Sequence, residues 1–377
     1  MKIQEFHVGP RFIFGKGAIT KISELPIQKA YIICDPFMEQ SQMVGKVTEV
    51  LRNSGATFKI FSKVVPDPTV QVVSESIAEI RDYKPDAVIA LGGGSAMDTA
   101  KAVIRVYSET EKTESPYLIA IPTTSGSGSE NTAFAVISDP AYNEKIALVD
   151  DSMVPNLAIL DTTFTKTVPP SVTADAGMDV LTHCIEAYVS NKASDFSDAC
   201  AEKGIRLTWK YLLEAYKNGD NILAREKMHN ASSIAGIAFN NAGLGICHSL
   251  SHAIGAFFHV PHGRINAYLL PYVISYNASL EAHGETDVTR RYAEIAEIIG
   301  LAKITPTQSV VALISAIKQL SEKMSIPARI EDLGINRAEF ESMIPKMAQR
   351  VMEDACTPTN PRMVTLGQIE KLYRSLR

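Results

Sequence analysis

Short β-type runs alternating with helix-length segments fill the first 160 or so residues, and this alternation constrains the fold more than any other feature of the chain. KAYIICD (29–35) is a buried-strand run, TFKIF (57–61) follows a helical stretch, and DAVIALGGG (86–94) follows another. YLIAIPTT (117–124) comes after the helical pattern SAMDTAKAVIRVY (95–107). Such alternation predicts a mostly parallel sheet covered by helices. AFAVIS (133–138), KIALVD (145–150) and LAILD (157–161) lie too close together for helices between them and read as added strands or hairpins. After Pro169-Pro170 the grammar changes. VTADAGMDVLTHCIEAYVS and SDFSDACAEKGIRLTWKYLLEAY repeat apolar residues at three and four, and β-type runs become rare. The expectation is an α/β domain over 1–168 followed by an all-α domain over 169–377.

Composition narrows the function classes. Of 377 residues, 46% are hydrophobic and 21% charged, as in an ordinary globular protein, and the net charge of −5 argues against nucleic acid or an anionic membrane as the main partner. No run approaches the roughly 18 apolar residues of a membrane span. The opening MKIQEFHVGPRFIFGKG lacks a signal-peptide layout, so a cytoplasmic location is expected. The cysteines, Cys34, Cys184, Cys200, Cys247 and Cys356, form no C-x-x-C pair, which suggests neither a zinc knuckle nor a redox dithiol. Cys247 stands beside a histidine of interest.

Two loops suit phosphate. Gly92-Gly93-Gly94-Ser95 ends a strand and opens a helix, where the backbone can turn sharply and unpaired N–H groups favour an anion. Asp98 is expected in the first turn of that helix, where a carboxylate complements the dipole. The run from Thr123 to Glu130, TTSGSGSE, follows the next strand. Two small-polar loops at the carboxyl edge of a parallel sheet are where nucleotides bind in open α/β folds. Asp35 ends the first clear strand. It can accept hydrogen bonds from ribose hydroxyls and repel a 2′-phosphate, or serve merely as a turn residue before Pro36.

Four of the eight histidines, His248, His252, His259 and His262, fall in CHSLSHAIGAFFHVPHG, inside a stretch from Asn230 to Gly263 without Asp, Glu, Lys or Arg. Clustered imidazoles in uncharged, apolar sequence point to a buried site. Upstream, Asp179 and His183 are four apart on one helical face and can chelate one ion, with His248 and His262 arriving from elsewhere. His248 and His252 share the same spacing, so spacing alone does not choose between them. His259 and His229 read as structural.

With these residues in place, the chain resembles the iron-dependent (group III) alcohol dehydrogenase family over essentially its whole length. The motifs that carry the resemblance are GGGSAMDTAK (92–101), IPTTSGSGSE (121–130), GMDVLTHCIEAYVS (177–190) and GLGICHSLSHAIGAFFHVPHGRINA (243–267). VPDPT, GGGSAMDTAKA, ASDFSDACAEK and KMHNASSIAGIAF resemble a branch of that family that acts on propanol. The resemblance implies a dinucleotide-binding first domain and a metal-binding catalytic second domain. It implies that Asp179, His183, His248 and His262 ligate the metal and that His252 lies next to the nicotinamide and substrate. It puts Asp35, Gly94, Ser95, Ala96, Met97, Asp98, Thr123, Thr124, Ser127 and Lys145 on cofactor-contact positions. Two departures touch only local cofactor contacts: Asp67 where many members have Asn, and Phe134 in place of a frequent polar residue. A homodimer or larger homo-oligomer is also implied, and the propanol branch allows enclosure in a bacterial microcompartment.

The chemistry expected is hydride transfer between NAD(H) and a small uncharged primary alcohol or aldehyde of propanol size. Three imidazoles and a carboxylate fit Fe²⁺ or Zn²⁺ by ligand type, and the resemblance names iron. His252 is the candidate for proton relay, or else shapes the pocket. Rival readings are a glycerol dehydrogenase or a dehydroquinate-synthase-like lyase on a similar scaffold, and a non-catalytic nucleotide or metal sensor. A lyase for a phosphate- and carboxylate-bearing substrate needs Lys and Arg that residues 230–263 lack.

Overall fold

A computed structural model describes residues 3–141, 144–281, 285–301 and 303–376. Two compact units emerge: His7–Thr167, and Val168–Arg377 together with the N-terminal segment ending at Phe6. That segment groups with the helices because the Phe6 ring stacks on Phe196, centroids 5.5 Å apart.

The first unit holds β1 (Arg11–Phe14), β2 (Lys29–Cys34), α1 (Pro36–Gln40), α2 (Met43–Asn53), β3 (Thr57–Phe61), α3 (Val70–Tyr83), β4 (Ala87–Gly92), α4 (Gly94–Glu111) and β5 (Tyr117–Pro122). β6 (Phe134–Asp139), β7 (Glu144–Val149) and β8 (Leu157–Leu160) follow. Six strands form one sheet in the order β1-β8-β5-β4-β2-β3, every recorded pairing parallel. Its central strands are apolar on both faces because helices cover both. Ile32, Ile89, Ile119 and Ile159 enter one core, while Tyr31, Ile33, Val88, Ala90 and Ala120 enter the other. The parallel α/β arrangement read from the sequence is therefore observed.

LAILD is β8, seated inside this sheet, whereas AFAVIS and KIALVD pair antiparallel with each other as a separate ribbon. β1 was not legible: RFIF is four residues long and part-exposed, too short to show a period. From β2 the chain steps outward to β3, then returns to the other side of β2 as β4. The order thus reverses between the carboxyl ends of β2 and β4, the crevice in which open α/β sheets take their ligands.

The second unit is helical: α5 (Pro170–Val189), α6 (Asp195–Lys217), α7 (Ile222–Ala242), α8 (Ile246–Phe258), α9 (His262–Asn277), α10 (Asp287–Ile298), α11 (Pro306–Lys323), α12 (Arg337–Glu353) and α13 (Leu366–Ser375). Pro170 starts α5 as its first helical residue, where a missing N–H costs nothing. Ser194 and Ser197 cap α6 reciprocally. From Gly177 to Val189 every residue of α5 is buried, so this helix forms the floor of the unit and packs on α6, α7 and α9. Among the described residues no helix is long and apolar enough to cross a membrane.

Candidate functional site

The two loops expected to hold a nucleotide lie side by side at the carboxyl edge of the sheet, the glycine turn after β4 at the crevice with β2 and the TTSGSGSE loop after the neighbouring β5. A Cβ on Gly92 would meet the Ala96 Cβ at 2.7 Å and the Asp35 Oδ2 at 3.5 Å, so glycine is required for the strand to pass into α4. Thr124 and Ser127 cover Gly93 and Gly94 at 3.2 Å from their would-be Cβ atoms. Thr123 is buried and donates its N–H to the Gly92 carbonyl at 2.9 Å. Ala96 and Met97 are buried, whereas Gly94 and Ser95 remain partly open at the start of α4. Asp35 caps α1, its Oδ1 accepting from the Met38 N–H at 3.1 Å, while its Oδ2 stands toward Gly92.

Asp98 departs from the expectation. It is the fifth residue of α4, past the first turn. Its Oδ1 accepts from Ser129 Oγ at 2.8 Å and its Oδ2 from the Val136 N–H at 3.1 Å. The carboxylate therefore ties the TTSGSGSE loop to the helix. Lys101, one turn on and buried, completes the tie by donating to Ser129 O at 2.6 Å, Thr132 Oγ1 at 2.8 Å and Phe134 O at 3.0 Å. Burial lowers its pKa to about 8 against the opposing charges of Asp98 and Glu130. Lys145 lies on β7, paired with Asp67 at 2.7 Å. Asp67 has φ of 52°, a left-handed conformation that Asp and Asn both tolerate.

In the helical unit, side chains from α5, α8 and α9 converge. Asp179 Oδ1 lies 3.6 Å from Nε2 of both His248 and His262 and 3.9 Å from Nε2 of His183. Donor atoms of Asp179, His248 and His262 fall within 4.8 Å of one another, and His183 adds its ring at the edge, stacked on His248 at 4.6 Å. Burial works against charge on Asp179, but the imidazoles of His183, His262 and His248 hold its carboxyl far below the ordinary range. Three ring nitrogens and a carboxylate oxygen, without thiolate, are a donor set for a borderline divalent cation. Cys247 contributes none: its buried thiol is directed at the Asn266 carbonyl, 3.6 Å away.

The structure separates the two histidines that spacing left equivalent. His248 is 1% exposed at its side chain and turns inward; His252 is 41% exposed, and its Nδ1 bonds Asp354 at 2.8 Å. The His252 ring stacks on His262, centroids 5.1 Å apart, forming the rim of the site without joining the donor set. His259, exposed with φ of 54°, ends α8, and His229 is buried on α7.

Besides Asp354, two residues beside Asp179 and His248 escaped the sequence reading. Glu186 accepts from His248 Nδ1 at 2.6 Å and from the Cys247 N–H at 2.7 Å, orienting the imidazole so that Nε2 faces Asp179. Burial works against charge on His248, but hydrogen bonds and charges from Asp179 and Glu186 outweigh it and raise the pKa to about 9. A cation held at Nε2 would have to displace that proton. Asn266, one turn past His262, donates from Nδ2 to Asp179 Oδ1 at 2.7 Å and lies 3.0 Å from His262 Nε2. Glu186 had a signal, since Asp179, His183 and Glu186 follow one helical face at i, i+4 and i+7.

Gly263 sets the approach of α9 to α5. A Cβ there would lie 2.2 Å from the Asp175 carbonyl oxygen, which is backbone and cannot swing away. Gly263→Ala is expected to push His262 off Asp179, destabilising the protein by about 1–3 kcal/mol and lowering metal content. Thermal melting with metal analysis checks this; no change in either would mean the close approach is dispensable.

Residues 9–162 match the family described as iron-containing alcohol dehydrogenase, and residues 173–377 the C-terminal part of the Fe-containing alcohol dehydrogenase family. The chain is 40% identical to the 1-propanol dehydrogenase of Citrobacter freundii, covering 99% of this chain and 100% of that one. It is 39% identical to the NADPH-dependent butanol dehydrogenase of Clostridium saccharobutylicum, over 97% and 96% of the two chains. Among solved structures, a 1,3-propanediol oxidoreductase superposes with a TM-score of 0.91 at 31% identity, covering 99% of each chain.

Proposed function

The chain belongs to the iron-containing alcohol dehydrogenase family, and from that premise we propose that it interconverts short, uncharged primary alcohols and their aldehydes with NAD(H), using one iron ion held by Asp179, His183, His248 and His262. The observation that carries this reading is the convergence of three imidazoles on one buried carboxylate. When bound, the metal would supply a Lewis acid and NAD(H) the hydride carrier.

The protein's own groups do the rest. Glu186 keeps the His248 ring turned toward Asp179. His252, at the exposed rim, takes the hydroxyl proton on Nε2 during alcohol oxidation and passes it to solvent, and returns one during aldehyde reduction. Gly94, Ser95, Ala96, Met97, Thr123, Thr124 and Ser127 line the crevice for the pyrophosphate, Asp35 faces the ribose and Lys145 a neighbouring part of the nucleotide. Asp98 acts on the cofactor through the loop it holds.

Two guanidiniums come near the otherwise charge-free stretch. Arg264 is engaged by both Asp175 oxygens at 3.1 and 3.0 Å, and Arg350 lies over the Phe257 ring at 4.7 Å. Neither is an unclaimed partner for a substrate carboxylate, whose unpaired burial would cost several kcal/mol. NADH oxidation followed at 340 nm with an aldehyde panel tests the reading. Propanal and butanal should react best in iron-loaded enzyme, chelation should abolish the rate, and glyoxylate should be poor. A carboxylate-bearing aldehyde outperforming propanal tenfold would refute the uncharged substrate class.

Nucleotide choice is a separate prediction, because one relative is NADPH-dependent. Asp35→Gly should remove repulsion of a 2′-phosphate and relax the preference for NADH by about 1–3 kcal/mol, roughly 5- to 150-fold in the ratio of kcat/KM values. Glycine is itself an acceptable helix cap, so the substitution costs α1 little. An unchanged NADH/NADPH ratio would remove Asp35 from the specificity argument.

A further inference from the structure

Asp354, in the segment that follows α12, is held more completely than its distance from the metal ligands requires. Its Oδ1 accepts from Ser249 Oγ at 3.0 Å and from the Cys356 N–H at 2.8 Å. Ser249 is in turn fixed by Thr357 Oγ1 at 2.8 Å. With one oxygen pinned by two donors the carboxylate cannot rotate, and Oδ2 stands 2.8 Å from His252 Nδ1. Its side chain is 18% exposed beside a histidine that is 41% exposed, so the rigid partner lies beneath the more open one. Burial works against charge on Asp354, but His252, Cys356 N–H and Ser249 together hold its carboxyl well below the usual range.

We propose that Asp354 is a positioning residue for the proton relay: its Oδ2 fixes the ring plane of His252 and keeps the hydrogen on Nδ1, leaving Nε2 to exchange the substrate's proton. The inference rests on the role of His252 given above. A carboxylate only accepts, so the ring nitrogen facing it carries the hydrogen and the lone pair falls on the opposite edge. The stacking of His252 on His262, with 15° between ring planes, fixes one face of the ring while Asp354 holds its Nδ1 edge. Asp354 and His252 are 102 residues apart in sequence. A carboxylate behind an imidazole serves acyl-transfer enzymes in the same way, by tautomer and orientation.

A double-mutant cycle of Asp354→Asn and His252→Gln in the iron-loaded enzyme tests the coupling. Asp354→Asn should lower kcat about 10- to 100-fold, part of the ~10²–10⁴ that a general acid–base group contributes. KM for NADH should stay within about twofold, as expected when a transition-state interaction alone is lost, with iron content and melting temperature unchanged. The same substitution should cost nothing further in the His252→Gln background. Ser249→Ala, which loosens Asp354 without removing it, should show a smaller kcat loss that also vanishes in that background. If Asp354→Asn proves unstable, this second cycle gives the answer. A full kcat in Asp354→Asn with a depressed kcat in His252→Gln overturns the positioning role and leaves the relay standing. Equal losses from Asp354→Asn in both backgrounds overturn it too. A full kcat in His252→Gln overturns the relay itself, and the inference with it.

Discussion

His262→Ala is expected to lose metal and activity together. His262 opens α9 and brings its Nε2 to 3.6 Å from Asp179 Oδ1. Without it, three donors remain and Asp179, buried in α5, is left less neutralised. Breaking one side of a buried charge arrangement typically costs about 3–5 kcal/mol, so metal affinity should fall more than about 100-fold. Activity should follow metal content. His252→Ala provides the contrast: its ring sits on the rim with Nδ1 on Asp354, so that variant should retain the metal and lose kcat. Metal analysis of both purified variants decides the matter. Equal metal loss in the two would mean the ligand histidines are wrongly assigned.

Glu186→Ala should come next in size, although the residue touches no ion. Its two oxygens receive His248 Nδ1 and the Cys247 N–H, both buried. Removing the carboxylate frees the His248 ring to turn, and loss of such an outer partner commonly costs about 10- to 100-fold in metal affinity. The two donors also lose their acceptor, at about 1–3 kcal/mol each. Gly245, whose would-be Cβ lies 2.7 Å from Glu186 Oε1, shows how closely α8 is drawn onto this group. Glu186→Gln keeps an acceptor but not the charge and should fall between wild type and Glu186→Ala. Chelator competition and thermal melting measure the two effects separately. Wild-type metal affinity in Glu186→Ala would end the argument.

Much of the fold was legible because strands and helices announce themselves through local period. KAYIICD, TFKIF and the glycine turn at Gly92–Gly94 were each read close to where they lie, and the break at Pro169-Pro170 falls on the start of α5. β1 was not, because four half-exposed residues acquire strand geometry only by pairing with β8, 146 residues later at Arg11↔Leu157. Asp98 was placed on the right helix but in the wrong turn. Its true partners, Ser129 and Val136, lie beyond the next strand, where no helical pattern points.

Local order along the chain was enough to determine the α/β and all-helical halves, the small-polar loops and the kinds of side chain available for a cation. Those are properties of neighbours in sequence, set by backbone geometry and by which faces must leave water. Which histidines meet was decided by tertiary structure. His248 and His252 share one face of α8 at a spacing that treats them alike, and only the crossing of α5 and α9 against that helix turns one inward to Asp179 and leaves the other to Asp354. Glu186 had a local signal, but Asn266 and Asp354 acquire their roles the same way. A hydrogen bond needs atoms within about 3 Å, and that proximity is a property of how helices pack.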